Sequence, residues 1–158
     1  MPSKKNTKYL SLLVLFFTFS FGFSQNTSKF KVVLDAGHGG EDPGAIKNGI
    51  KEKDIVLDVV LKIGKILEKN NSIEVVYTRK TDVFIGLRER ANIANKAKAN
   101  LFISVHCNGV KSTAARGTET FVMGMSRTDT NLDIAKKENG VIFLEKDYNE
   151  KYKGFDPN

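Results

Sequence analysis

Both histidines of the chain, His38 and His106, follow short, mainly aliphatic runs: His38 lies a few residues after Lys31–Leu34, and His106 lies directly after Leu101–Val105. Such runs predict two buried strands of an α/β fold. Because the carboxyl ends of parallel strands meet at one edge of a sheet, we expect both imidazoles to lie at that edge, where loops build binding sites. Histidine is a frequent metal ligand, so this pattern predicts a zinc site.

The order of the predicted elements indicates the fold class. The strands Phe30–Asp35, Ile73–Tyr77 and Leu101–Val105 alternate with the helices Lys51–Lys69 and Leu87–Lys98, and a long loop covers Ala36–Asn48. This order is typical of a three-layer α/β domain with a central, mostly parallel sheet and helices on both faces. The apolar stripe expected on the first helix contains Ile55, Val59, Ile63, Ile66 and Leu67.

The last third of the chain predicts fewer elements than such a domain needs. A fourth strand is expected at Gly117–Met123 and a further helix at Asn131–Tyr148, and a polar segment runs on to Asn158. No strand pattern follows that helix, so we expect the final strand or strands of the sheet to be missing from this chain.

The first 24 residues have the pattern of an export signal. Three lysines precede the apolar run Leu10–Phe23, and Gly22 and Ser24 suit a cleavage site before Gln25. The run is shorter than the roughly 20 residues that span a bilayer, although an uncleaved anchor is the alternative. We therefore expect a signal peptide at 1–24, a linker at 25–30, a periplasmic or secreted location at the cell envelope, and no stable membrane insertion after cleavage.

The charge of the chain suits an acidic partner outside the cell. Removal of residues 1–24 takes away three lysines and lowers the formal net charge from +7 to +4. An anionic glycan fits an exported chain better than nucleic acid does, and basic residues are not interleaved with aromatic ones, so no nucleic-acid partner is expected. A lysine-rich, solvated surface is the alternative explanation of the charge.

The only cysteine, Cys107, has no partner for an internal disulfide and follows a predicted strand. A nucleophilic role beside His106 is the alternative to a buried structural role. Neighbouring side chains on a strand point to opposite faces, which disfavours activation of Cys107 by His106.

A catalytic zinc ion usually has three protein ligands and one open position, so the two histidines need a third ligand. Glu52 is the best candidate, because it lies at the start of the predicted helix that follows the loop of His38. Asp35 precedes the same loop and is expected to orient His38 from behind. The competing carboxylates near the loop are Glu41, Asp42 and Asp54.

Several ordered motifs resemble one known family. Val32–Ile46 (Val-Val-Leu-Asp-Ala-Gly-His-Gly-Gly-Glu-Asp-Pro-Gly-Ala-Ile) resembles the opening motif of zinc-dependent N-acetylmuramoyl-L-alanine amidases of the Amidase_3 type. The resemblance covers about Lys31–Met123 and implies that His38, Glu52 and His106 are zinc ligands. Further motifs that resemble the family are Lys51–Asp54, Thr78-Arg79, Leu87–Asn95, Leu101–Asn108 and Arg116–Thr120.

This resemblance implies hydrolysis of the amide bond between N-acetylmuramic acid and L-alanine in peptidoglycan, during cell-wall remodelling or daughter-cell separation. Similar enzymes use a glutamate in a Glu-x-Gly-Phe motif as general base, and the chain up to Asn158 lacks that motif. Glu119 matches an earlier strand of the family, so the catalytic base is unknown and is expected beyond Asn158. The alternatives are a non-catalytic, zinc-containing wall-binding module and a cytosolic metal-dependent hydrolase.

Residues 129–158 resemble a regulatory insertion within the incomplete catalytic domain predicted at 31–158. Asp133–Asn139 is similar to an inserted helix of cell-division amidases, which blocks the zinc until an activator protein displaces it. By this resemblance, Glu138 or Glu145 is expected to block the metal. A solvated surface helix is the alternative.

Overall fold

The computed structural model describes residues 28–107, 114, 116–122 and 129–155 of the 158-residue chain. A 3-10 turn lies at Gly140–Leu144. The strands are β1 (Phe30–Ala36), β2 (Ile46–Lys47), β3 (Ile50–Lys51), β4 (Ile73–Tyr77) and β5 (Leu101–Val105). The helices are α1 (Glu52–Leu67), α2 (Leu87–Ala97), α3 (Asp129–Asn139) and α4 (Tyr148–Lys151).

Strand β1 lies in the middle of a three-stranded parallel sheet, with β4 on one side and β5 on the other. In the register of the sheet, Val32 is paired with Val75 of β4 and with Leu101 of β5. The predicted α/β class with a parallel sheet is therefore confirmed. All three strands run in the same direction, so the segments that follow them leave the sheet at one edge.

The two faces of β1 differ in chemistry, because successive side chains of a strand point to opposite faces. Val32, Leu34 and Ala36 are buried against Val56 and Val60 of α1, and this cluster is the apolar core. Asp35 points to the other face, where its carboxylate forms an ion pair with Arg90 of α2. The predicted helices on both faces of the sheet are thus present.

The stripe of α1 that faces the sheet differs in part from the predicted one. Val56, Val60 and Gly64 are its buried positions, and Ile63 and Leu67 pack beside them as expected. The predicted members Ile55, Val59 and Ile66 are exposed. The helix is apolar on more than one side, so periodicity alone does not identify the side that touches the sheet.

A short antiparallel hairpin of β2 and β3 occupies the end of the segment predicted as a loop, and its second strand includes Lys51, the first residue of the predicted helix. Its two turn residues, Asn48 and Gly49, both have positive φ angles, as a type I′ turn requires. Helix α1 begins directly after β3, and the Glu52 N–H donates a 2.9 Å hydrogen bond to the Ala45 carbonyl oxygen. The hairpin therefore leads directly into Glu52, the first residue of α1.

Two predicted elements near the end of the chain were wrong. In the described part of the expected fourth strand, residues 117–122 are exposed and belong to no β-ladder. The pattern of these residues suits a strand, but a strand forms only where a partner completes its hydrogen bonds. The expected long helix ends at Asn139, where Gly140, a poor helix former, begins the 3-10 turn.

The predicted signal peptide, residues 1–24, lies outside the described residues. In the part of the chain that the structure does describe, none of the helices has the length and apolar character needed to cross a membrane.

We predict that Val60→Ala lowers the free energy of unfolding by about 2 kcal/mol, because it removes two buried methyl groups from the contact between α1 and the sheet. Val59→Ala, one residue earlier in the same helix and 37% exposed, is the matched control and is expected to cost less than about 1 kcal/mol. Chemical denaturation of both variants measures the difference. Equal losses would contradict the assigned core face.

Candidate metal centre

Four side chains converge at the carboxyl edge of the sheet: His38, Glu52, His106 and Glu138. Each offers one ligand atom, and these atoms lie within 4.8 Å of one another. The three residues expected from the sequence are therefore brought together, and Glu138 of α3 joins them. The remaining predicted carboxylates, Glu41, Asp54 and Glu119, are exposed and lie outside the cluster.

The distances within the cluster join the nitrogen and oxygen atoms that face its centre. His38 Nε2 lies 3.1 Å from His106 Nδ1 and 3.1 Å from Glu52 Oε1. His106 Nδ1 lies 3.3 Å from Glu52 Oε1. Glu138 Oε2 lies 2.9 Å from His106 Nδ1 and 3.3 Å from His38 Nε2.

His38 follows β1 in a left-handed conformation (φ +58°), which non-glycine residues adopt infrequently. Its Nδ1 atom is 2.7 Å from Asp42 Oδ2, so Nε2 is the nitrogen that faces the cluster. Asp42 is itself held by the Gly44 N–H, which donates a 3.0 Å hydrogen bond to Oδ1. Asp42, which the sequence offered as a competing ligand, instead orients His38 from behind.

The orienting role predicted for Asp35 was wrong. The Asp35 carboxylate accepts hydrogen bonds from Thr78 Oγ1 (2.6 Å), Ser104 Oγ (2.6 Å) and Arg90 Nη1 (2.7 Å), and all of these groups lie on the face of the sheet that α2 covers. Asp35 precedes the loop in sequence, but its position in β1 directs it away from His38. Proximity along the chain therefore favoured the wrong carboxylate.

Glu52 is buried in the first turn of α1, and backbone groups hold both of its carboxylate oxygens. The Cys107 N–H donates to Oε1 (2.6 Å) and the Ala45 N–H donates to Oε2 (2.9 Å). Burial alone would raise the pKa of Glu52, but hydrogen bonds from His106, His38 and these N–H groups outweigh it and lower the pKa well below its usual value. Glu52 is therefore an anion.

Glycines leave the space that the imidazoles occupy. A Cβ atom on Gly37 would lie 2.3 Å from His106 Cε1, and one on Gly44 would lie 2.6 Å from His38 Cδ2. The two imidazole rings meet edge to face, with their centroids 4.8 Å apart.

Cys107 follows His106 directly. Burial raises the pKa of the Cys107 thiol, which disfavours the thiolate that a nucleophile needs.

Glu138 is the member of the cluster that sequence reasoning left undecided against Glu145. Its second carboxylate oxygen, Oε1, is buried and has no hydrogen-bond partner among the described residues. Glu145 lies elsewhere, where its Oε1 accepts a 2.8 Å hydrogen bond from the Leu87 N–H at the start of α2. Only tertiary structure separates these two glutamates, since both belong to the same polar segment.

The charges in the cluster complement one another. Burial disfavours a protonated His38, but hydrogen bonds to Asp42, Glu138 and Glu52 outweigh it and raise its pKa to about 11. Burial is likewise outweighed at His106 by Glu138 and Glu52, which raise its pKa to about 9. The carboxylates that favour the protonated form of these imidazoles would also compensate the charge of a divalent cation.

The cluster fits a zinc ion in size and chemistry. Two imidazole nitrogens and two carboxylate oxygens are donors that zinc prefers. In a tetrahedral site with bonds of 2.0–2.2 Å, neighbouring ligand atoms are about 3.3–3.6 Å apart. The separations between the cluster atoms given above, 2.9–3.3 Å, are close to that range.

A family model described as N-acetylmuramoyl-L-alanine amidase, Amidase_3, matches residues 32–155. The chain belongs to this family. Two curated proteins are similar to it in sequence. The probable N-acetylmuramoyl-L-alanine amidase AmiB of Haemophilus influenzae is 38% identical over 123 residues, which are 75% of this chain and 28% of that protein. The endolysin of Bacillus phage SPP1 is 53% identical over 90 residues, which are 57% of this chain and 32% of that protein.

Solved amidase structures share the fold. The catalytic domain of CwlV from Bacillus (Paenibacillus) polymyxa var. colistinus matches with a TM-score of 0.52 and 42% identity, over 54% of this chain and 49% of that one. The amidase of Clostridium difficile 630 matches with a TM-score of 0.52 and 29% identity, over 74% and 64% of the two chains. The chain thus spans less than two thirds of the length of each relative named here.

We predict that Gly44→Ala weakens the binding of Zn²⁺ at least tenfold, because the new methyl group collides with His38 and lies 2.8 Å from Glu52 Cβ. Gly49→Ala is the matched control: Gly49 also has a positive φ, but a Cβ atom there meets nothing within 4 Å. Competition with a chromophoric chelator measures both affinities. Equal affinities in the two variants would contradict the role of Gly44 at the cluster.

Proposed function

We propose that the chain is a zinc-dependent N-acetylmuramoyl-L-alanine amidase, which hydrolyses the amide bond between N-acetylmuramic acid and L-alanine in peptidoglycan. The observation that carries the proposal is the convergence of His38 Nε2, His106 Nδ1 and Glu52 Oε1 within 3.1–3.3 Å of one another, in a chain of the amidase family. These three residues would hold the metal.

The residues around the cluster have distinct roles in this proposal. Zinc held there would polarise the scissile carbonyl group and make a water molecule nucleophilic near neutral pH. Asp42 keeps Nδ1 of His38 engaged, so that Nε2 is the nitrogen presented to the metal. The N–H groups of Ala45 and Cys107 keep Glu52 ionised and fixed in place. We assign no general base among the described residues.

The proposal includes a compartment and a substrate. Peptidoglycan lies outside the inner membrane, so an amidase that acts on it must be exported. The N-terminal pattern of three lysines and an apolar run supports a periplasmic or secreted location. The positive net charge suits an anionic cell-wall glycan.

The test is zinc content together with peptide release from purified sacculi. We predict about one zinc ion per chain, and release of peptides with a free L-alanine amino group at a low rate, because Glu138 covers the site and no general base is assigned; this release stops on chelation and returns with added zinc. His106→Ala is expected to lose both properties. The control Glu41→Gln removes an exposed carboxylate from the loop that carries His38, and this variant is expected to keep the zinc.

The outcomes of this test separate the alternatives. Zinc binding without peptide release would favour a non-catalytic, wall-binding module. Absence of zinc from the wild-type chain would overturn the proposed metal site. Release that persists after removal of zinc would overturn the dependence on metal.

We also propose that Glu138 closes the site. A catalytic zinc ion keeps one position open for water or substrate, whereas structural zinc has four protein ligands. Glu138 Oε2 lies 2.9 Å from His106 Nδ1 and 3.3 Å from His38 Nε2, the same two nitrogens that Glu52 contacts. It would therefore take the fourth position. In this arrangement α3 inhibits the enzyme, and an activator protein that draws α3 away would expose the metal.

Contacts beyond Glu138 would hold the inhibitory segment on the domain. Glu145 Oε1 accepts hydrogen bonds from the Leu87 N–H and from the Tyr152 hydroxyl, each 2.8 Å long. Its carboxylate thereby provides a side-chain cap for α2, whose own N-cap residue, Gly86, has no side chain to offer. A Cβ atom on Gly86 would lie 2.7 Å from this carboxylate.

We predict that Glu138→Ala opens the site, because the fourth ligand is lost. Removal of zinc by a chelator should become at least tenfold faster, and the rate of peptide release should rise. Glu145→Ala, which removes the cap on α2, is expected to act in the same direction with a smaller effect. Asp133→Ala, an exposed carboxylate of α3, is the control. Unchanged chelation and peptide release in Glu138→Ala would contradict inhibition by this residue.

A further inference from the structure

Two arginines, Arg79 and Arg90, are buried beneath the loop that carries His38. Neither side chain reaches the cluster of His38, Glu52, His106 and Glu138, and the proposed reaction gives neither of them a role. Burying a guanidinium group is costly unless its donors find acceptors, so each of these side chains requires an explanation.

Arg90 extends from α2 and binds three carbonyl groups as well as Asp35. Its Nη1 donates to the Ala36 carbonyl (2.8 Å) and Nη2 donates to the His38 carbonyl (2.9 Å). Nε donates to the Ile85 carbonyl (2.8 Å), and Nη1 also lies 2.7 Å from Asp35 Oδ1. The carboxylate of Asp35 neutralises the charge of the Arg90 guanidinium group, whose Nη1 and Nη2 atoms donate to the loop of His38.

Arg79 lies just after β4, one of the two strands that pair with β1, and its side chain contacts the same loop. Its Nε donates to the Ala36 carbonyl (2.9 Å), and Nη2 donates to the carbonyls of Gly37 (2.7 Å) and Lys53 (2.9 Å). Together the two arginines bind three consecutive carbonyls, those of Ala36, Gly37 and His38. The contact with Lys53 also joins this loop to the first turn of α1, which contains Glu52.

The loop needs such donors because it leaves the sheet abruptly. His38, Gly39 and Gly40 all have positive φ angles, so their peptide groups no longer follow the direction of the β-ladder. Buried carbonyls that leave a ladder must find other donors. A guanidinium group has five N–H donors in a rigid fork, whereas the ammonium group of lysine is a single flexible point of charge.

We infer that Arg79 and Arg90 are positioning residues for the metal centre: by binding the carbonyls of Ala36, Gly37 and His38 they fix the backbone that aims His38 Nε2 at the metal. This assignment rests on the proposed zinc site. It concerns geometry rather than charge alone, so an arginine cannot be replaced by lysine without loss.

The test is the Zn²⁺ affinity of Arg90→Lys and Arg79→Lys, measured by competition with a chromophoric chelator at a temperature where circular dichroism shows each variant folded. Each variant is expected to bind Zn²⁺ 10- to 100-fold more weakly than the wild-type chain, as is typical when groups that orient a ligand are lost. The absorption spectrum of the Co²⁺-loaded variants should also change, because the geometry at His38 changes.

Two controls separate positioning from stability and charge. Val60→Ala destabilises the core on the opposite face of β1 and is expected to keep wild-type Zn²⁺ affinity when folded. Lys96→Gln removes an exposed charge from α2, the helix of Arg90, and is also expected to keep it. Arg79→Lys leaves the pair of Asp35 and Arg90 intact, so it remains a test if Arg90→Lys does not fold.

Wild-type affinity and an unchanged Co²⁺ spectrum in a folded arginine variant would overturn the inference, and so would an equal loss of affinity in Val60→Ala. Failure of the wild-type chain to bind Zn²⁺ is a different result, which would overturn the metal site itself together with the positioning role that rests on it.

Discussion

Strand β1 pairs with a parallel strand on each side, and the site depends on this arrangement. Three segments consequently leave the sheet at one edge: the loop of His38 after β1, the turn of Arg79 after β4, and His106 after β5. Antiparallel pairing with either neighbour would send one of these segments to the opposite edge. The parallel sheet therefore brings together residues that are 68 positions apart in sequence, such as His38 and His106.

The chemistry of the two faces of β1 explains how the edge is kept rigid. One face is a conventional apolar contact with α1, which supplies stability through Leu34, Val56 and Val60. The other face buries Asp35 with Arg90, and the cost of desolvating such a pair offsets much of its electrostatic attraction. The pair instead helps to orient the loop, since the same guanidinium group of Arg90 donates hydrogen bonds to the carbonyls of Ala36 and His38. Stability and precision thus come from opposite sides of one strand.

Helix α3 and the segment after it connect two distant parts of the molecule. Glu138 contacts the histidines, while Glu145 lies at the start of α2, the helix that also supplies Arg90. A protein that binds α3 would act on both contacts. Under the proposed inhibition by Glu138, access to the metal would therefore be coupled to the docking of this surface segment.

Much of the fold and the core of the site could be predicted from the sequence. The strands β1, β4 and β5 and the helices α1 and α2 have local patterns strong enough to be recognised, and parallel order follows from their alternation. The motifs around His38, Glu52 and His106 indicate these residues as candidate metal ligands without any coordinates. The strand expected near Gly117 could not be checked by pattern alone, because pairing with a neighbour decides whether a strand forms.

The directions of the side chains and the partners of the charged groups depend on tertiary contacts. The sequence predicted that His38, Glu52 and His106 converge, because they lie at or near the ends of recognisable elements. It did not predict that Asp42 rather than Asp35 orients His38. It also left open whether Glu138 or Glu145 contacts the two histidines. Those choices depend on the pleat of β1, the φ angle of His38 and the packing of α3, which arise from contacts between residues far apart in the chain.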